Sequence, residues 1–190
     1  MNDLSQLGFE HGTDKTVRAH HYTGAYNGLM EVFRQEELEV VEIGVYGGAS
    51  LRMWRDYFPK AQVWGVDNGR DARIEEIKAA TGQKAGGVPL PEEERIRLVF
   101  GDGTSEETLA QLPEEIDMVV DDGSHVPNDY IRTLELLFPR TKRLYVIEDV
   151  APNHWEATKW AVERISKGAY VQIRSDYSLS VAVALFTGGE

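Results

Sequence analysis

Two short acidic motifs hold the residues best suited to chemistry. Asp121-Asp122-Gly123-Ser124-His125 follows the apolar run Ile116–Val120, and Glu148-Asp149 follows Leu144–Ile147. Both runs are rich in Val, Ile and Leu and read as buried strands. If these strands are parallel neighbours, their carboxyl ends lie side by side, and Asp122, Glu148 and Asp149 can converge on one point. Three carboxylates with no nearby cation repel one another strongly. A divalent ion relieves that repulsion, and all-oxygen ligation favours Mg²⁺, Mn²⁺ or Ca²⁺ over Zn²⁺. The same acids also serve as helix N-caps, a common place for Asp. His125 stands just before an expected helix and offers an imidazole for proton removal near neutrality. Asp121, one residue before Asp122, is expected to face a cofactor instead.

A second constellation surrounds the first strand, Glu39–Ile43, which runs into Glu42-Ile43-Gly44-Val45-Tyr46-Gly47-Gly48-Ala49-Ser50. Glycines at a strand-to-helix turn let the backbone approach a ligand closely. The spacing G-x-x-G-G differs from the dinucleotide pattern G-x-G-x-x-G, and a tight turn without ligand uses the same residues. Asp67 ends the second strand 23 residues after Gly44, where an acid accepts hydrogen bonds from ribose hydroxyls. Asp102 follows the third strand in Phe100-Gly101-Asp102-Gly103, where an acid can meet an exocyclic amine. Together these describe an adenosine pocket. Glu42 inside the turn repels phosphates and attracts an ammonium or sulfonium cation, which favours a sulfonium donor over a pyrophosphate. An NAD(P)-dependent oxidoreductase on the same kind of sheet and a non-catalytic binding protein remain the alternatives.

The positioning elements alternate. Strands at Glu39–Ile43, Gln62–Val66, Ile96–Phe100, Ile116–Val120 and Leu144–Ile147 are separated by helical patterns at Ala49–Phe58, Asp71–Ala80, Ser105–Leu112, Pro127–Phe138 and His154–Lys167. Repeated strand–helix units require an α/β fold, a parallel sheet with helices on both faces. Tyr170–Arg174 and Leu179–Phe186, split by Ser175–Ser178, predict a closing β-hairpin. Residues 81–94 read as an irregular loop, and His20 to Gln35 as a helix at one end of the sheet. Glu10–Lys15 and His20-His21-Tyr22 hold three of the five histidines and read as a polar lid. Trp155 and Trp160 are candidates for the acceptor wall.

The 190 residues suit one domain, 1–190, with residues 1–37 as its cap. Twenty Lys and Arg against 32 Asp and Glu give a net charge of −12, which argues against a nucleic-acid partner. From Leu98 to Ile131 there are nine acids and no Lys or Arg. The absence of cysteine excludes disulfides, thiolate metal sites and cysteine nucleophiles. The six-residue run Val181–Phe186 is far short of a membrane span, and residues 1–20 lack a signal-peptide core, so a cytoplasmic protein is expected.

Several of these segments are familiar as a set. Gly12-Thr13-Asp14-Lys15, His20-His21-Tyr22-Thr23, Glu42-Ile43-Gly44-Val45, Ser50-Leu51-Arg52-Met53-Trp54, Asp121–His125 and Ile147-Glu148-Asp149 resemble, in order, the macrocin-type O-methyltransferases. The resemblance implies a Rossmann-like class I methyltransferase sheet of seven strands, ordered 3-2-1-4-5-7-6. It implies S-adenosylmethionine at Glu42, Gly44, Tyr46, Gly47, Ser50, Asp67, Asp102 and Asp121. It also implies Mg²⁺, or Mn²⁺, on Asp122, Glu148 and Asp149, with His125 as general base. The implied partner is a small molecule with a hydroxyl acceptor, on a sugar of a glycosylated natural product. Homo-oligomeric assembly is left open.

Overall fold

Among the described residues, eight strands form a single sheet: β1 Glu39–Ile43, β2 Gln62–Asp67, β3 Val88–Pro89, β4 Ile96–Phe100, β5 Ile116–Asp121, β6 Thr141–Val150, β7 Val171–Arg174 and β8 Leu179–Ala184. The structure is a computed structural model and describes residues 3–69, 88–89, 95–167, 171–174 and 179–184. The strand order is β3-β4-β2-β1-β5-β6-β8-β7. Neighbours from β4 to β6 are parallel, while β8 pairs antiparallel with both β6 and β7 as the expected hairpin. Without β3 this is the expected seven-strand order. The addition is a two-residue edge strand in the stretch read as loop, pairing Val88 with Leu98 and Pro89 with Arg97. An edge is where a proline without an N–H is tolerated. The expected helix at 71–80 and hairpin turn at 175–178 lie outside the described residues.

Side chains alternate across each strand, and the alternation sorts the interior into two cores. Val40, Val63, Leu98, Met118, Val120, Leu144 and Val146 face one layer. That layer contains α1 (Leu4–His11), α2 (Tyr22–Met30) and α3 (Ala49–Tyr57). Val41, Ile43, Val66, Val99, Val119, Tyr145 and Ile147 face the other. There lie α4 (Glu106–Leu109), α5 (Pro127–Leu137) and α6 (Trp155–Ser166). Helix α1 occupies sequence read as part of a lid. Asp3 caps it, accepting from the Gln6 N–H at 2.7 Å, and Gly12 ends it in the left-handed region at φ +77°.

The alternation also sorts the acids. Glu42, Asp122 and Glu148 share the parity of Val40, Val120 and Val146, so they point toward the α1–α3 layer. Asp121 shares the parity of Val119 and faces the α4–α6 layer. Asp149 would follow Asp121, but its φ is +54° and the β6–β8 register shifts between Ile147 and Val150. This irregularity turns Asp149 out toward the cavity at the strand ends.

Where β1 ends, Gly44 crosses against the chain leaving β5. Its φ is +86°, and a Cβ there would lie 2.1 Å from the carbonyl oxygen of Asp122. Gly44→Ala should therefore destabilise the fold by about 2–5 kcal/mol through backbone strain and overlap, read from urea unfolding. Leu51→Ala, on the fully buried face of α3, should lower stability by about 2–5 kcal/mol in the same assay. Val32→Ala, at a 74% exposed position, should change it little.

Candidate active site

The site lies at the carboxyl ends of the parallel strands, where two cavities meet. The larger, about 700 Å³, is lined by residues 11–14, the Gly44–Gly47 turn, Ser50, Arg52, Asp122, His125 and Asp149. The smaller, about 440 Å³, is lined by Ile43, Gly101–Thr104, Asp121, Ser124, Asp129, Tyr130 and Thr133. Gly44, Asp67, Asn68 and Gly123 belong to both walls, so one groove crosses the end of β1.

In the smaller cavity, Asp67 is pinned by the turn it supports. Its Oδ2 accepts from the Val45 N–H at 2.9 Å and its Oδ1 from the Gly69 N–H at 2.7 Å. Asp102 folds back on itself, Oδ1 accepting from the Thr104 N–H and hydroxyl at 2.8 and 2.7 Å. Both carboxylates keep lone pairs for a ligand. Asp121 is buried, with the Tyr145 hydroxyl at 3.4 Å and the Gly123 N–H at 3.3 Å. Burial pushes its carboxyl up to about 7.

On the other side of the groove, Tyr46 and Gly47 line the larger cavity, with Tyr46 held at φ +48° and exposed. Glu42 is in neither cavity wall. It is fully buried beneath the turn, where Oε2 accepts from the Ser50 hydroxyl at 2.7 Å. Burial lifts its carboxyl to about 7, with the Lys15 ammonium opposing that shift. Glu42 thus holds in place the Ser50 side chain, which lines the larger cavity.

The acids of the second constellation separate by depth. Asp122, His125 and Asp149 each place a ligand atom within 4.8 Å of the others. Two carboxylates and an imidazole are a donor set that fits a divalent ion. Glu148 lies deeper, at 2% exposure, accepting from Lys15 Nζ at 2.6 Å and from the Tyr26 hydroxyl. Two of its roughly four lone-pair sites are thereby occupied. Asp149 accepts from the Tyr22 hydroxyl at 2.5 Å, and His20 Nδ1 lies 3.4 Å from it. His125 is exposed at the cavity wall with φ +57°.

Lys15 did not stand out in the sequence. Its ammonium, 1% exposed, contacts Asp122 at 2.6 Å, Glu148 at 2.6 Å and Glu42 at 3.3 Å. Burial lowers its pKa, but the three carboxylates outweigh burial and hold it well above the usual lysine value. The signal was available. Three acids of one parity at adjacent strand ends need a cation, and Leu98–Ile131 supplies none. Among the other expected lid residues, His11 pairs with Asp56 at 2.7 Å on the cavity wall, and His21 precedes α2 at φ +63°. Trp155 packs against the second core and Trp160 is 61% exposed.

Residues 41–147 match the methyltransferase-domain family. Over 172 residues the chain is 34% identical to the 8-demethyl-8-alpha-L-rhamnosyl tetracenomycin-C 2'-O-methyltransferase of Streptomyces olivaceus, covering 84% of this chain and 41% of that protein. It is 34% identical over 166 residues to demethylmacrocin O-methyltransferase of Streptomyces fradiae, covering 80% and 38%. The chain therefore spans about two-fifths of the length of these curated relatives. A methyltransferase of the mycinamycin biosynthetic pathway, solved with Mg, SAH and mycinamycin VI, superposes with a TM-score of 0.71 at 25% identity. That match covers all of this chain and 57% of the other. No helix among the described residues is long and apolar enough to cross a membrane. These matches do not favour the oxidoreductase alternative. With a glycine turn, acids at successive strand ends and a matching sheet order, the chain belongs to the methyltransferase-domain family, and its curated relatives are named as O-methyltransferases.

Proposed function

We propose that the chain is a metal-assisted O-methyltransferase that uses S-adenosylmethionine to methylate a sugar hydroxyl of a glycosylated small molecule. The observation that carries this reading is the convergence of Asp122, His125 and Asp149 in a cavity continuous with the Asp67–Asp102–Asp121 groove. In it, Asp67 and Asp102 hold the ribose and adenine ends of the donor, and Gly44 and Gly47 let its chain pass close to the backbone. Buried Glu42 and Asp121 keep the surroundings favourable to a sulfonium rather than a phosphate. Asp122 and Asp149 are the converging acids for Mg²⁺ or Mn²⁺, with the deeper Glu148 as the third acid of the set. When bound, such an ion supplies Lewis acidity that makes a hydroxyl easier to deprotonate. His125 accepts that proton as the S–CH₃ bond breaks and the O–CH₃ bond forms. Tyr22 orients Asp149 through its hydroxyl. A cytoplasmic enzyme acting on a small molecule, without nucleic acid as a partner, is consistent with this chemistry and with the acidic composition.

The relatives are named as O-methyltransferases of a rhamnosyl tetracenomycin-C and of demethylmacrocin, and the larger cavity has room for a sugar ring. The test is calorimetry with S-adenosylhomocysteine and with Mn²⁺, followed by turnover on polyketide glycosides bearing a free sugar hydroxyl. Binding of both, with turnover abolished by chelation, is the expected result. NAD binding in place of S-adenosylhomocysteine would restore the oxidoreductase alternative. His125→Ala should lower turnover about 100-fold or more and leave Mn²⁺ affinity nearly unchanged. If Mn²⁺ affinity collapses in that variant, His125 is a metal ligand and not the base.

A further inference from the structure

Lys15 is far in sequence from the acids it touches, and its burial is nearly complete. Between Asp122 and Glu148 its ammonium sits at 2.6 Å from each, bridging the carboxyl ends of β5 and β6. Its third contact, Glu42 at 3.3 Å, lies at the end of β1, beneath the donor turn. The backbone around it is equally fixed. The Lys15 carbonyl accepts from the Tyr22 and Thr23 N–H groups at 2.9 and 3.0 Å, which sets the first turn of α2. From that helix Tyr22 reaches Asp149 and Tyr26 reaches Glu148. Every acid of the proposed metal set is therefore oriented either by Lys15 itself or by a tyrosine on the helix that Lys15 starts.

We propose that Lys15 is a positioning residue for metal binding: its ammonium orients Asp122 and Glu148, rather than merely cancelling their charge. This rests on the metal-assisted reading above. The two roles differ in sign. If Lys15 only balanced charge, or competed with the ion for the carboxylates, removing it would leave a more negative site that attracts a divalent cation more strongly. If it orients the ligands, removing it frees two carboxylates to rotate and repel, and affinity falls despite the added negative charge. Residues that orient metal ligands typically contribute about 10–100-fold in affinity. Lys15 contacts none of Asp67, Asp102 and Asp121, which wall the donor groove, and its one contact at the donor turn, Glu42, is removed in the Glu42→Gln background used below, so donor affinity is expected to hold there.

The experiment titrates Mn²⁺ into the chain, followed by the electron paramagnetic resonance of the free ion, and measures S-adenosylhomocysteine affinity separately by calorimetry. Lys15→Met should weaken Mn²⁺ binding about tenfold or more while leaving S-adenosylhomocysteine affinity close to that of the parent chain. Because removing a buried cation can compromise folding, Lys15→Met combined with Glu42→Gln keeps the net charge constant and is compared with Glu42→Gln alone. The double variant should show the same loss of Mn²⁺ affinity relative to that control. Equal or tighter Mn²⁺ binding without Lys15, in whichever comparison folds, overturns the proposal. A parallel fall in S-adenosylhomocysteine affinity overturns it too, since that marks a general structural role. If the parent chain binds no Mn²⁺, the metal-assisted reading itself is what fails.

Discussion

One buried cation governs the arrangement of this site. Carboxylates at the ends of adjacent parallel strands cannot stay ionised in a dry interior without a counter-charge, and Glu42 and Glu148 are almost fully buried. Lys15 supplies the charge, and the requirement is mutual, because an ammonium at 1% exposure is equally dependent on its acids. Removing one member of such a set typically costs about 3–5 kcal/mol, since a charge is left behind without a partner. The consequence extends beyond the cluster. To bring Lys15 under the strand ends, the segment between α1 and α2 must cross the open edge of the groove. Gly12, Thr13 and Asp14 thereby become walls of the larger cavity. The N-terminal cap is tied to the sheet by electrostatics as well as by the apolar contacts of Leu4, Leu7, Tyr22 and Tyr26.

Backbone strain is concentrated at the same edge. Of the six described non-glycine residues with positive φ, Tyr46, His125 and Asp149 line the larger cavity, and His21 starts the helix that reaches Asp149. Such conformations persist where the surrounding structure over-determines them, and they re-aim side chains that regular strands would send elsewhere. Asp149 is the clearest instance. A regular β6 would alternate Glu148 and Asp149 to opposite faces of the sheet. The bulge lets Glu148 enter the α1–α3 layer while Asp149 stays at the rim, beside Asp122 and His125. Two consecutive acids thus end at different depths of one site.

Local patterns were readable from the sequence wherever local physics decides. The Val- and Ile-rich runs alternating with amphipathic helices placed the parallel strands to within a few residues, because burial on both faces leaves little choice of composition. Strand ends carrying Asp67, Asp102, Asp121 and Asp122 were legible for the same reason. Less legible were features that depend on distant partners. Lys15 is 107 residues from Asp122 and 133 from Glu148, and nothing in Gly12-Thr13-Asp14-Lys15 marks a lysine as buried. The direction of Glu42 also escaped a linear reading. An acid before a glycine turn looks like a cofactor contact, yet strand parity sends it below the turn to Ser50 and Lys15. β3 is two residues long and antiparallel, too short for any periodicity to show.

The acidic block from Leu98 to Ile131 resolves into three populations with different physics. Asp117 accepts from the Glu39 N–H and from Arg143 at the opposite, amino-terminal end of the strands, a partly buried structural lock. Glu106 and Glu115 pair at 2.6 Å with Arg132 and Lys142 on the surface, where such pairs contribute little and are screened by salt. Asp102, Asp121 and Asp122 are different in kind. They stand on cavity walls, the larger of which Arg52 shares, and Lys15 contacts Asp122. Lys15 contacts Glu42, Asp122 and Glu148, and carboxyl groups still outnumber the cations at these strand ends. The fold tolerates that surplus only at the groove, where the species proposed to bind, a sulfonium donor and a divalent ion, carry the opposite sign.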